Sequence, residues 1–94
     1  MSKLVILWTK QFKKDYKAAI KRNLDIGLLD QTIRALSKGE TLDPEFKDHF
    51  LPGNWKSCRE CHITPDWLLI YKVENKRLVL VLARTGTQSD LSNK

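Results

Sequence analysis

The chain has 94 residues, 41% of them hydrophobic, with a formal net charge of +6 and a pI near 9.5. Two domains would each be too small to bury a useful core, so one domain over residues 1–94 is expected, and the apolar fraction excludes wholesale disorder. The charge favours polyanionic partners through phosphate contacts, without naming one.

No apolar segment approaches the roughly 20 residues of a membrane span. The opening run to Trp8 lacks the long apolar stretch and cleavage site of an export signal. A cytoplasmic protein with reduced thiols and no membrane partner is therefore expected.

Leu4 to Trp8 (LVILW) reads as a buried opening strand, and Thr9 stands where a helix N-cap would. Phe12, Tyr16, Ala19 and Ile20 then recur at the spacing of one helical face, which predicts a first helix to about Asn23. On its other side Lys10, Lys13, Lys14, Lys17 and Lys21 form one positive stripe, either a solvated face or a grip on RNA phosphates. Asp15 does not interrupt it.

Ile26, Leu29, Ile33 and Leu36 predict a second helix, capped by Asn23 or Asp25 and ended by Gly39. Two amphipathic helices so closely joined read as a helical hairpin lying on a sheet. From Glu40 to Asn54 the periodicity is lost, and Pro44, Pro52 and Gly53 mark a loop that carries His49.

A strand from Trp55 to Ile63 places Arg59, Cys61 and Ile63 on one face and Cys58, Glu60 and His62 on the other. Thr64-Pro65-Asp66 turns into a strand from Trp67 to Val73, and Glu74-Asn75 turns again into Arg77 to Ala83. That last strand is apolar on both faces and belongs in the sheet interior. Arg84 to Thr87 is expected to leave it as a turn, with the final residues fraying.

Cys58-Arg59-Glu60-Cys61-His62 is literally C-x-x-C-H, the pattern of covalent haem attachment. On a strand, however, the two thiols fall on opposite faces with Cα atoms about 10 Å apart, which suits neither shared haem attachment nor a disulfide. A single C-x-x-C also lacks the second ligand pair of a structural zinc. No metal and no cofactor are expected.

His49 and His62 are the only imidazoles, and Asp66 and Arg84 are expected near them. A base, an acid and a fixed cation are what internal phosphoryl transfer in RNA requires: a proton leaves the 2′-hydroxyl, another reaches the leaving 5′-oxygen, and the cation stabilises the phosphorane. Trp67 is either core or a platform for a stacked base.

The ordered segments KDHFLPGNW, CRECHITPDWLLIYKV and LARTGT, together with the lysine-rich first helix, resemble the YafQ branch of the RelE/ParE toxin superfamily. The resemblance implies an α+β, microbial-ribonuclease-like fold of order β-α-α-β-β-β, with a helical hairpin packed on a small, mainly antiparallel sheet. It also implies a toxin, monomeric when free, that cuts messenger RNA on the ribosome without a metal ion and is neutralised by a cognate antitoxin. The family's active-site residues match His49, His62, Asp66, Trp67 and Arg84.

Two positions depart from the pattern. Gln88 stands where this branch carries a further catalytic histidine, and Leu91 and Ser92 stand where an aromatic is expected. Glutamine hydrogen-bonds but does not exchange a proton near neutral pH. The two histidines and Asp66 favour an endoribonuclease; Gln88 favours a non-catalytic or attenuated member, which binds antitoxin or RNA or inhibits gyrase in the manner of ParE.

Overall fold

A computed structural model of the protein describes residues 3–53 and 57–91, and Trp55, the expected start of a strand, lies outside them. The described elements are β1 (Val5–Trp8), α1 (Lys10–Lys21), α2 (Ile26–Ser37), a 3-10 turn (Pro44–Phe46), β2 (His49–Phe50), β3 (Arg59–Thr64), β4 (Trp67–Glu74) and β5 (Val79–Thr87). The strands form one sheet in the order β1-β5-β4-β3-β2. Only the β1–β5 pair is parallel. The architecture is the expected α+β hairpin-on-sheet, with one addition: β2, a two-residue edge strand made by His49 opposite Glu60 and Phe50 opposite Arg59.

Thr9 starts α1 in the expected way and does more. Its hydroxyl accepts from the Phe12 amide at 3.1 Å and donates to the Leu82 carbonyl at 2.9 Å, so one side chain caps the helix and ties its first turn to β5. Phe12 and Ala19 are buried against the sheet, and Trp8 meets Phe12 edge to face at 4.9 Å and Tyr16 at a tilt at 4.8 Å between ring centres. Ile20, expected on that face, is 51% exposed, because the buried strip is narrower than the apolar one. Asn23 leaves α1 at φ 58.

Asp25 occupies the N-cap of α2 without a side-chain cap bond, and α2 buries Leu29, Thr32, Ile33 and Leu36. Gly39 follows at φ 79, the left-handed conformation expected of it. The Tyr16 hydroxyl donates to Asp30 at 2.9 Å and joins the two helices.

The sheet separates two cores. Cys61, Trp67, Leu69, Tyr71, Leu80 and Leu82 face the helices, while Leu51, Leu68, Ile70 and Leu91 pack on the opposite face. Three expectations are corrected here. Residues Arg84 to Thr87 continue β5 instead of leaving it, because β4 is long enough to pair out to Trp67 opposite Thr87. Leu78 is not in the strand but in the preceding turn, at φ 53.

The tail does not fray up to Leu91. Asp90 accepts from the Thr87 amide at 3.0 Å and from Arg22 at 2.6 Å, and Leu91 is buried beyond them.

Cys58 and Cys61 are free thiols in different cores. Burial pushes the Cys61 thiol up to about 12, with Asp48 and Glu60 adding to the effect, so it stays protonated and inert. A thiol reagent at pH 8 is expected to titrate Cys58 in the native protein and Cys61 only after unfolding. Replacing Thr9 by alanine is expected to cost about 1–2 kcal/mol, read as an earlier midpoint in urea.

Candidate active site

Residues directly opposite one another on neighbouring strands project to the same face of a sheet. His49 lies opposite Glu60, Glu60 opposite Ile70, and Ile70 opposite Arg84, which makes one row from β2 to β5. His62 lies opposite Leu68, two residues along β3 from Glu60, and shares that face. This is the face turned away from the helices, floored by Leu68 and Ile70. The strand spacing then sets distances. His49 and His62 are diagonal neighbours about 7–8 Å apart at Cα, whereas Arg84 stands three strands from His49, about 14 Å away.

Both imidazoles are held in the same way. His49 Nδ1 lies 2.6 Å from the Lys47 carbonyl oxygen, and His62 Nδ1 lies 3.3 Å from that of Pro65. A carbonyl only accepts, so Nδ1 is the protonated nitrogen in each and Nε2 is left to exchange protons. Lys47 reaches this position in the left-handed region, at φ 49 and ψ 40, unusual for a non-glycine residue and placed here beside the histidine it anchors. His49 Nε2 faces the Glu60 carboxylate at 3.6 Å, and the Glu60 side chain is only 8% exposed.

Asp66 is exposed in the β3–β4 turn, next to the Pro65 carbonyl that holds His62. Of the two alternatives for Trp67, the structure has the core one. It is 3% exposed, and its indole N–H donates to the Thr85 hydroxyl at 2.9 Å, which in turn donates to the Leu68 carbonyl at 2.8 Å. The ring therefore packs in the helix-side core and offers no face to a base. Its chain of hydrogen bonds clamps β4 to β5.

Arg84 starts from the histidine row only at its Cα: its half-buried guanidinium turns to α1 and engages Asp15, with Nε at 3.0 Å and Nη2 at 3.2 Å, beside a cavity that neither histidine lines. Lys10, Lys13, Lys14, Lys17 and Lys21 are all exposed, and among the described residues none of them forms an ion pair. Gln88 shares a cavity of about 420 Å³ with His62, Lys47, Phe46 and Pro65. The position where the resembled branch carries a histidine is thus brought to His62.

Sequence reasoning had placed Glu60 on the His62 face without giving it a role. The pairing of Glu60 with His49 depends on β2, which no periodicity announces. Lys47 and Asp15 were passed over as well.

Among the described residues, no three His, Cys, Asp or Glu side chains come together to hold a metal ion, and no helix is long and apolar enough to cross a membrane.

The sequence profile of the family described as "Bacterial toxin of type II toxin-antitoxin system, YafQ" matches residues 4–93. The chain is 40% identical over 87 residues to the mRNA interferase toxin YafQ of Escherichia coli K12, covering 92% of each. Among solved structures it is similar to a copper-bound mutant toxin from Helicobacter pylori, with TM-score 0.87 and 42% identity over 94% of this chain and 98% of that one. It is likewise similar to the E. coli DinJ-YafQ toxin-antitoxin complex, with TM-score 0.86 and 38% identity over 95% and 97% of the two chains. On sequence and fold together, the chain belongs to the YafQ family of type II toxin-antitoxin toxins.

Proposed function

We propose that this chain is an mRNA endonuclease toxin that acts on translated messenger RNA at the ribosome, in the cytoplasm, and is neutralised by a cognate antitoxin protein. The observation that carries the chemistry is the pair of histidines on one sheet face, each anchored through Nδ1 to a backbone carbonyl. A relative of 40% identity bears the name mRNA interferase, and a structural neighbour is a toxin bound to its antitoxin.

In this reading the 2′-hydroxyl attacks the adjacent phosphorus, its proton passes to one imidazole, and the leaving 5′-oxygen takes a proton from the other. The Glu60 carboxylate lies 3.6 Å from His49 Nε2, beside the nitrogen that exchanges the proton. Asp66, in the turn that holds His62, takes part in the proton transfers. Arg84 supplies positive charge for the phosphate, and the lysine stripe of α1 binds ribosomal RNA outside the reacting group. No step needs a metal ion.

Gln88 supports a second reading, an attenuated member that keeps the binding functions. It lines the His62 cavity with a side chain that does not exchange a proton near neutral pH.

Primer extension on an mRNA under translation separates these readings. The native chain is expected to create new 5′ ends, His62→Ala to lower the cleavage rate by about 100-fold or more, and Gln88→His to raise it. No new ends with the native chain, together with cutting by Gln88→His, would establish the attenuated form. No ends with either would remove the nuclease reading.

For the stripe, Lys13→Glu combined with Lys17→Glu is expected to weaken ribosome binding and to flatten its log–log salt dependence by roughly 1 per lost phosphate contact, with helicity unchanged by circular dichroism. Unchanged binding would mark those lysines as merely solvated.

A further inference from the structure

Asp15 is the one acidic residue of α1, KQFKKDYKAAIK, and it stands among lysines. Its side chain is nevertheless only 10% exposed and pairs with Arg84 of β5. The carboxylate receives four donors: Arg84 Nε at 3.0 Å and Arg84 Nη2 at 3.2 Å, the Thr85 amide at 3.1 Å, and Gln11 Nε2 at 3.0 Å. Three of the four belong to β5. A surface ion pair contributes little and is loosely held; this one is bidentate, sheltered, and tied at the same oxygen to the backbone of the next residue.

We propose that Asp15 is a positioning residue that sets the guanidinium of Arg84 for the scissile phosphate. This rests on the nuclease reading given above. A guanidinium carries five N–H donors, and Asp15 takes one from Nε and one from Nη2, which leaves the edge bearing Nη1 for a ligand. The carboxylate thus fixes the plane of the group and removes the rotamer freedom that a long side chain would otherwise lose on meeting the phosphate.

The β5 backbone cooperates. A register shift between Ile70 and Tyr71 inserts Ala83 between the residues facing them, Arg84 and Leu82, and such bulges re-aim the side chain beside them. Asp15 accepts the Thr85 amide just beyond that irregularity, so it fixes both the side chain of residue 84 and the backbone that carries it. Because Asp15 sits on the helix that bears the lysines, the grip on RNA and the position of the arginine share one rigid element.

The test is a double-mutant cycle with the full chain on ribosomes programmed with a defined mRNA, measuring single-turnover cleavage rate and half-saturating ribosome concentration separately. Asp15→Asn keeps the size of the side chain and removes its charge and second strong acceptor. It is expected to lower the rate on the order of 10- to 100-fold and to leave half-saturation within about twofold. In an Arg84→Ala background the same substitution is expected to change neither, because the residue through which it acts is gone. Equal losses in both backgrounds, a native rate for Asp15→Asn, or a loss confined to half-saturation would each overturn the proposal.

A second readout does not need cleavage. The Arg84 Nε–H resonance is expected to be slowly exchanging in the native chain and lost in Asp15→Asn, with the backbone amide spectrum otherwise retained. If neither the native chain nor Gln88→His cuts, the nuclease reading falls and this signal alone decides whether Asp15 positions Arg84. An Nε–H unchanged in Asp15→Asn would overturn that.

Discussion

Five consecutive residues of β4, Trp67 to Tyr71, are buried, and they alternate between two cores. Trp67, Leu69 and Tyr71 go to the helices; Leu68 and Ile70 go to the open face. A slip of one residue would send every one of them to the wrong side, so β4 fixes the register of β3 on one flank and β5 on the other. The row that joins His49, Glu60 and Arg84 is a by-product of that register. The arrangement depends on packing one strand away from His62 and two strands away from His49.

Around this frame, the groups that can exchange protons are held by backbone and not by other side chains. Carbonyls at Lys47 and Pro65 take the Nδ1 protons of the two histidines. This leaves each ring one reactive nitrogen with a set direction, as a general acid or base needs. The loop that carries His49 is pinned from below. Asp48 accepts from the Tyr71 hydroxyl at 2.6 Å and from Arg59 at 2.9 Å, and the Arg59 guanidinium lies over the Phe50 ring at 4.3 Å. The buried Tyr71 hydroxyl, its ionisation pushed upward by burial and by Asp48, stays a donor in this arrangement.

Both helices were legible because their apolar spacing is strong and their ends carry capping chemistry, Thr9 at one start and Gly39 at one finish. Strand parity likewise put Cys58 and Cys61 in different cores and Glu60 beside His62. What was not legible came from pairing. A two-residue strand at His49 has no periodicity of its own, and Arg-Thr-Gly-Thr has the composition of a turn until a long β4 offers it partners. Trp67 was ambiguous because a tryptophan at a strand end suits either core or ligand, and only the Thr85 hydroxyl decides. Asp15 could have been caught: it lies three residues after Phe12 and four before Ala19, the two buried positions of α1, where a carboxylate needs a partner.

The parallel pairing of β1 with β5 has a temporal side. Thr9 meets Leu82 across 73 residues of chain, so the first strand has no partner in the sheet until nearly the whole sequence has been made. Non-local contacts of this kind are the slow ones to form. A nascent chain that has emerged only as far as β4 lacks Arg84, Thr85 and the strand that α1 packs on, and Asp15 has nothing to hold. For a member of a toxin family, this topology acts as a delay: the candidate site is assembled only with the last strand.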